Sequence, residues 1–223
     1  MNKRNVLCFL IVAVVFLGFT IPSVKATNGP FYVSGSHYDT QVYGSSGMQV
    51  THSVSVVQEQ YGGCASFVVF KISDYNWAAI GFYQGHNYNK GQFYNYPRYY
   101  YDYKINGSYH FYDLGTAPLN QNHSYSVKLI PEQPYPDRGI MVLSIDNLSK
   151  AYLYNYTYTG GEAKGESESH NSKNTMDYHF WNMQYAISTG YWYPFKATYF
   201  YYYPPYTIDI KSVTEWYVQG GGQ

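Results

Sequence analysis

The chain reads ASFVVFKIS over residues 65–73 and WAAIGFYQ over residues 77–84, two apolar and β-branched runs separated by Asp74, Tyr75 and Asn76. Short runs of this composition, bounded by turn-forming residues, are strands. Neither shows the i, i+3, i+4 spacing of an amphipathic helix. Working outward, THSVSVVQE (51–59), YYYDYKI (99–105), YSVKLIP (125–131), IMVLSIDN (140–147), AYLYNYTYT (151–159) and TIDIKSV (207–213) repeat the pattern, with Gly, Pro, Asn and Asp clusters between them. Turn signals at roughly 8–14-residue spacing are those of a sandwich or barrel. The polar stretch GGEAKGESESHNSKNT (160–175) is expected to be a long surface loop. The pattern predicts one all-β domain of two packed antiparallel sheets, inner apolar faces alternating with outward polar residues.

The first residues read as an address. Lys3 and Arg4 precede the apolar run NVLCFLIVAVVFLGFTIP, and Val24-Lys25-Ala26 offers a small-x-small cleavage site. A signal peptide over residues 1–26 and a secreted or cell-surface domain over residues 27–223 are therefore expected, with no membrane contact after cleavage; a retained membrane anchor is the alternative, against which the run is short of the ~20 apolar residues of a span. Loss of Lys3, Arg4 and Lys25 leaves 11 basic against 14 acidic residues, a formal net charge of −3. With 13% charged residues and no basic patch, nucleic acid is excluded as a partner. The 31 tyrosines supply polarity that does not titrate in acid, and they also favour strands. Cys8 leaves with the leader, so Cys64 is alone in the mature chain and is expected to be buried. Asn106-Gly-Ser, Asn122-His-Ser, Asn147-Leu-Ser and Asn155-Tyr-Thr are four acceptor sequons for N-glycans on an exported surface. The seven histidines show no H-x-H or H-E-x-x-H spacing, so neither a metal site nor a cofactor is expected.

YPRYYYDYKINGSYHFYDLGTAPLNQNHSYSVKLI (96–130), followed by GIMVLSIDNLSKAYLYNYTYT (139–159), resembles the core of the eqolisins, the glutamic peptidases. GPFYVSGS (29–36) and WYPFKATYF (192–200) resemble that family's opening and closing strands. The resemblance implies a concanavalin-like jelly-roll sandwich. It also implies a catalytic pair: a Gln in an L-Q-x-G strand that holds an oxyanion, and a Glu in a W-x-x-E strand that activates water. Those motifs fall on AAIG (78–81) and WNMQ (181–184), placing Ala79 at the Gln position and Gln184 at the Glu position, with Gln84 as an alternate. An amide takes no proton from water and an Ala offers no hydrogen bond to an oxyanion.

The resemblance thus implies a groove holding Trp181, Gln184, Tyr83 and Gln84, with Tyr99 and Tyr101 along its wall and the catalytic base removed. The function expected from this is a secreted, glycosylated, non-catalytic protein. It would bind an extended peptide or a glycan, or act in surface assembly, with self-assembly by strand exchange left open. The alternative is a secreted acid endopeptidase with a rearranged catalytic pair. Glu166, Glu168 and Asp177 are then the nearest late carboxylates, but are expected as solvated loop charges.

Overall fold

A computed structural model describes residues 28–38, 41–58, 62–87, 90–196 and 198–222. The expected leader lies outside them. Two antiparallel sheets account for the fold. One runs, in spatial order, β13 (Tyr199–Tyr202), β1 (Asn28–Tyr38), β10 (Glu162–Asn171), β3 (Gly63–Ser73), β4 (Asn76–Asn87), β5 (Gln92–Ile105) and β6 (Ser108–Thr116). The other runs β14 (Tyr206–Ser212), β15 (Glu215–Gly221), β11 (Thr175–Ala186), β2 (Gly44–Val50), β7 (Asn122–Glu132), β8 (Tyr135–Ile145) and β9 (Leu148–Thr157), with the short β12 (Trp192–Pro194) also paired to β11. The all-β, two-sheet sandwich read from the sequence is the architecture found.

Period-2 alternation decides what each face does. Val68 and Phe70 of β3, with Ala78, Ile80 and Phe82 of β4, point between the sheets and meet Val127, Leu129, Met141 and Leu143 of β7 and β8 in one buried core. Their sequence neighbours Phe67, Val69, Ala79 and Tyr83 face the other way and form a second, smaller cluster with Tyr100 on the outer side of the seven-stranded sheet. At the other end of the core the fully buried Trp216 stacks on Phe180, with ring centroids 5.4 Å apart. The facing sheet makes room for it with glycine: a Cβ at Gly35 or Gly165 would lie 2.7 or 2.9 Å from the indole.

Two sequence expectations are corrected here. Residues 160–175 are not a loop, because Glu162–Asn171 is β10, hydrogen-bonded to β1 on one side and β3 on the other. Its outward residues are Glu162, Lys164, Glu166, Glu168 and His170, while Ala163, Gly165, Ser167 and Ser169 point into the sandwich. The strand is polar on one face and small on the other, since the space beneath it is already filled by Trp216 and Phe180, so no apolar run marks it. Conversely, residues 51–58 form no strand. Side chains take the place of a ladder: Gln84 Oε1 accepts from Val54 N at 3.0 Å, Thr175 Oγ1 from Ser55 N at 2.8 Å and Asn174 Oδ1 from Val57 N at 2.8 Å.

Cys64 is buried, as expected, with its thiol 3.5 Å from both Ser169 Oγ and the Thr175 carbonyl. Burial pushes its pKa up to about 12. Since the thiolate is the reactive form, the native protein should resist a thiol-labelling reagent at neutral pH and label once denatured. Rapid native labelling would show that this part of the sandwich opens.

Candidate functional site

The outer face of the seven-stranded sheet carries a groove of about 540 Å³. Its floor follows from register. Lys164, Val69, Ala79, Asp102 and Phe111 lie side by side across β10, β3, β4, β5 and β6, and the next outward row starts Glu166, Phe67, Gly81, Tyr100. Apolar side chains therefore line the middle. Glu166 and Glu168 stand on one side of it, and Asp102 on the other.

Each carboxyl meets a tyrosine. Tyr201 Oη donates to Glu166 Oε2 at 2.8 Å, and Tyr109 Oη donates to Asp102 Oδ2 at 2.9 Å. Tyr32 hydrogen-bonds Glu168, which also holds His170 Nε2 at 2.5 Å. The other Asp102 oxygen, Oδ1, is sealed from solvent. Burial is the main reason the Asp102 pKa lies well above the ordinary carboxylate range, with the Glu168 and Glu166 charges adding to it. Burial also raises Glu166; Lys164 and the Tyr201 hydroxyl oppose the shift, and Glu168 and Glu162 reinforce it. Lys164 Nζ lies 3.2 Å from Glu162 and 3.9 Å from Glu166.

An ion pair buttresses the groove wall behind Tyr83. Arg98 Nε donates to both Asp113 oxygens at 2.9 Å, and Tyr83 Oη and Gly115 N also donate to that carboxylate. Burial works to raise the Asp113 pKa, but the Arg98 and Gly115 hydrogen bonds and the Arg98 and Lys90 charges outweigh it and hold it below the usual value. A depressed carboxylate contributes stability above its unfolded pKa of ~3.9, lost as pH falls through the folded value. Asp113→Asn leaves the partly buried Arg98 without its countercharge and is expected to cost about 2 kcal/mol at neutral pH. In urea unfolding, the gap between variant and parent should close in strong acid. A gap independent of pH would mean that the pair contributes only packing.

The residues expected from the sequence divide between the sheets. Ala79 faces the groove side of the sheet but is fully buried beneath it, whereas Tyr83 lines it. Gln84 also borders it, but its amide is committed: Nε2 donates to the Val54 and Asn95 carbonyls at 2.8 and 3.0 Å. Tyr99 and Tyr101 do not line it. They alternate with Tyr100 and Asp102 along β5, so they pack against the inter-sheet core. Trp181 and Gln184 are also elsewhere, on β11 of the opposite sheet, paired to β2. Trp181 stacks on His179 at 4.6 Å, and Gln184 Nε2 donates to Asn182 Oδ1 at 3.3 Å. The expected side-by-side placement of residues 78–81 and 181–184 therefore fails, since β4 and β11 belong to different sheets.

Sequence reasoning missed Asp102 and Tyr109, and read Glu166 and Glu168 as solvated. The available signal was the charge at every second position from Glu162 to His170. Among the described residues, no group of three or more His, Cys, Asp or Glu is placed to hold a metal ion.

No protein-family model and no curated protein matches this chain. Solved structures do. Scytalido-glutamic peptidase, crystallised with a peptide-based transition-state analogue, superposes with a TM-score of 0.58 at 9% identity, over 88% of this chain and 100% of that one. The fold is eqolisin-like. SCP-B, a member of the eqolisin family in complex with the tripeptide Ala-Ile-His, superposes with a TM-score of 0.52 at 10% identity over the same shares. The eqolisin-like sandwich inferred from ordered but individually weak motifs is thus the fold observed, although the segment matched to W-x-x-E lies outside the groove.

Proposed function

We propose that the groove binds an extended polypeptide and hydrolyses it in acid, with Glu166 as general base and Asp102 as general acid. The observation that carries this reading is the pair of carboxyls with raised proton affinity on β10 and β5, facing each other across an apolar floor. Their backbones are three strand spacings apart and offset by two residues along the strands, about 16 Å in all. Glu166, ionised beside Lys164, takes a proton from a water molecule as its oxygen attacks the peptide carbonyl carbon. Asp102, protonated on Oδ2, the oxygen that also accepts from Tyr109, donates a hydrogen bond to the carbonyl oxygen and then a proton to the departing amine. The peptides bound in the two eqolisin-like structures support an extended ligand. The leader-like first residues and the four sequons support export.

A second reading, binding without cleavage, is favoured by Ala79 beneath the floor and by the engaged amide of Gln84, which leave no amide free to hold an oxyanion. Digestion of a denatured protein substrate by the purified mature chain from pH 2 to 7 separates the two. Cleavage in an acid window supports hydrolysis. Retention of peptides without cleavage, by a chain that is folded throughout, overturns it in favour of binding.

A further inference from the structure

The sandwich has two unpaired edges on one side. Among the described residues, β6 pairs as a strand only with β5, and β9 only with β8. Both edges expose large apolar side chains: Tyr109, Tyr112 and Leu114 on β6 are 57%, 44% and 37% exposed, and Leu148, Tyr152 and Tyr154 on β9 are 64%, 55% and 52% exposed. Long edges of this kind recruit a strand from another chain unless something blunts them, and only Lys150 puts charge on β9.

The four sequons bracket these edges. Asn106 forms the turn into β6 and Asn147 the turn into β9, both with positive φ, of 50° and 61°. Asn155 sits near the far end of β9, at φ 68°, within the irregular pairing between Gly139 and Met141. Asn122 opens β7. All four are exposed. Two contacts bring them into pairs. His123 Nδ1 meets Asp146 Oδ2 at 2.6 Å, joining Asn122 to the Asn147 turn beside the hollow that Leu114 and Leu148 share. Tyr156 Oη donates to the Lys104 carbonyl at 3.2 Å, joining the Asn155 end of β9 to the Asn106 turn. One pair of sequons therefore stands at each end of the double edge.

We infer that N-glycans on these asparagines, above all Asn147 and Asn155, form a barrier that keeps the β6 and β9 edges from pairing with a second copy of this chain. Attachment needs a lipid-diphosphate-linked oligosaccharide from the secretory apparatus. The asparagine Nδ2 attacks its anomeric carbon and an N–C bond forms. The C–O bond to the diphosphate breaks, the diphosphate departs with the electron pair, and the amide proton passes to a base of the transferase. A branched sugar at Asn147 or Asn155 is bulky and hydrated, and it occupies the approach a second strand would take.

The test uses the full chain secreted from a host that attaches N-glycans. Glycopeptide mapping should find Asn147 and Asn155 occupied, and sedimentation should give a monomer. Enzymatic removal of the sugars from the folded protein should shift it to dimers and larger species. Ser149→Ala with Thr157→Ala, which removes both sequons and keeps the asparagines, should do the same. Adding Tyr152→Lys, a charge on the bare edge, should restore the monomer, with circular dichroism unchanged throughout. Bare Asn147 and Asn155 in the secreted protein, or a deglycosylated chain that stays monomeric, would overturn the inference. So would association that Tyr152→Lys leaves intact, because it would place the contact away from β9.

Discussion

Glu166→Gln should lower the rate of acid proteolysis by about 10²–10⁴-fold while leaving the fold in place. The substitution keeps the shape of the side chain and an oxygen for the Tyr201 hydroxyl, which donates to Glu166 at 2.8 Å. It removes the ability to take a proton from water. Lys164 keeps Glu162 as its partner at 3.2 Å, so the strand is not left with an isolated buried charge. The pH profile gives the sharper readout. Under the proposed mechanism activity requires Glu166 ionised, so it rises as pH climbs through a pKa that burial has raised. It also requires Asp102 protonated, so it falls as pH climbs through the Asp102 pKa, which burial, the largest cause, has also raised. The result is a bell. Asp102→Asn should remove its alkaline limb and lower the maximum, because an amide donates a hydrogen bond but no proton. Gln184→Ala, on the outer face of the other sheet, should leave the rate unchanged. If Gln184→Ala silenced the protein and Glu166→Gln did not, the active groove would lie on the eight-stranded sheet and the assignment here would be wrong.

The largest loss of stability from one substitution is expected at Trp216. Its ring is fully buried, stacks on Phe180 at 5.4 Å and meets Phe200 edge-on at 5.2 Å, with Phe195 at 6.5 Å. Its Nε1 has no hydrogen-bond partner, so truncation forfeits burial and packing and no polar contact. Trp216→Ala should cost about 3–5 kcal/mol, transfer and cavity contributions together, out of a total stability that for a domain is about 5–15 kcal/mol. The urea midpoint should fall with the slope unchanged. Trp181→Ala is the comparison. That ring lies outside the sandwich, stacked on His179 at 4.6 Å, and its loss should cost about 1 kcal/mol. Equal losses at the two tryptophans would mean that the interior has been placed on the wrong side of β11.

Much of the fold was legible because strands with one buried face announce themselves. β3, β4, β7 and β8 carry β-branched or aromatic residues at alternate positions with turn residues at their ends, and alternation is the only pattern a pleated sheet imposes. β10 was not legible in that way. Its inner face is Ala, Gly, Ser and Ser, since Trp216 and Phe180 on the opposite sheet already fill the space. Hydropathy registers what a strand brings to the core and not what its partner brings. Residues 51–58 failed in the opposite sense: their alternating valines read as a strand, but Gln84, Asn174 and Thr175 satisfy that backbone with side chains.

By itself the sequence determined an all-β domain, its sandwich architecture, the burial of Cys64 and the positions of four N-x-S/T tripeptides, because each depends on local composition, alternation or tripeptide chemistry. Only the tertiary structure decided where the site is. A groove is made by residues that share a row across several strands, and Lys164, Val69, Ala79 and Asp102 are neighbours through hydrogen-bond register, not through sequence. Register is fixed by how two whole sheets close over one core, so a one-residue shift in any of those strands would turn its groove side chain inward. That is why Glu166 and Asp102 face each other across the floor while Trp181 and Gln184 face solvent on the opposite side of the molecule.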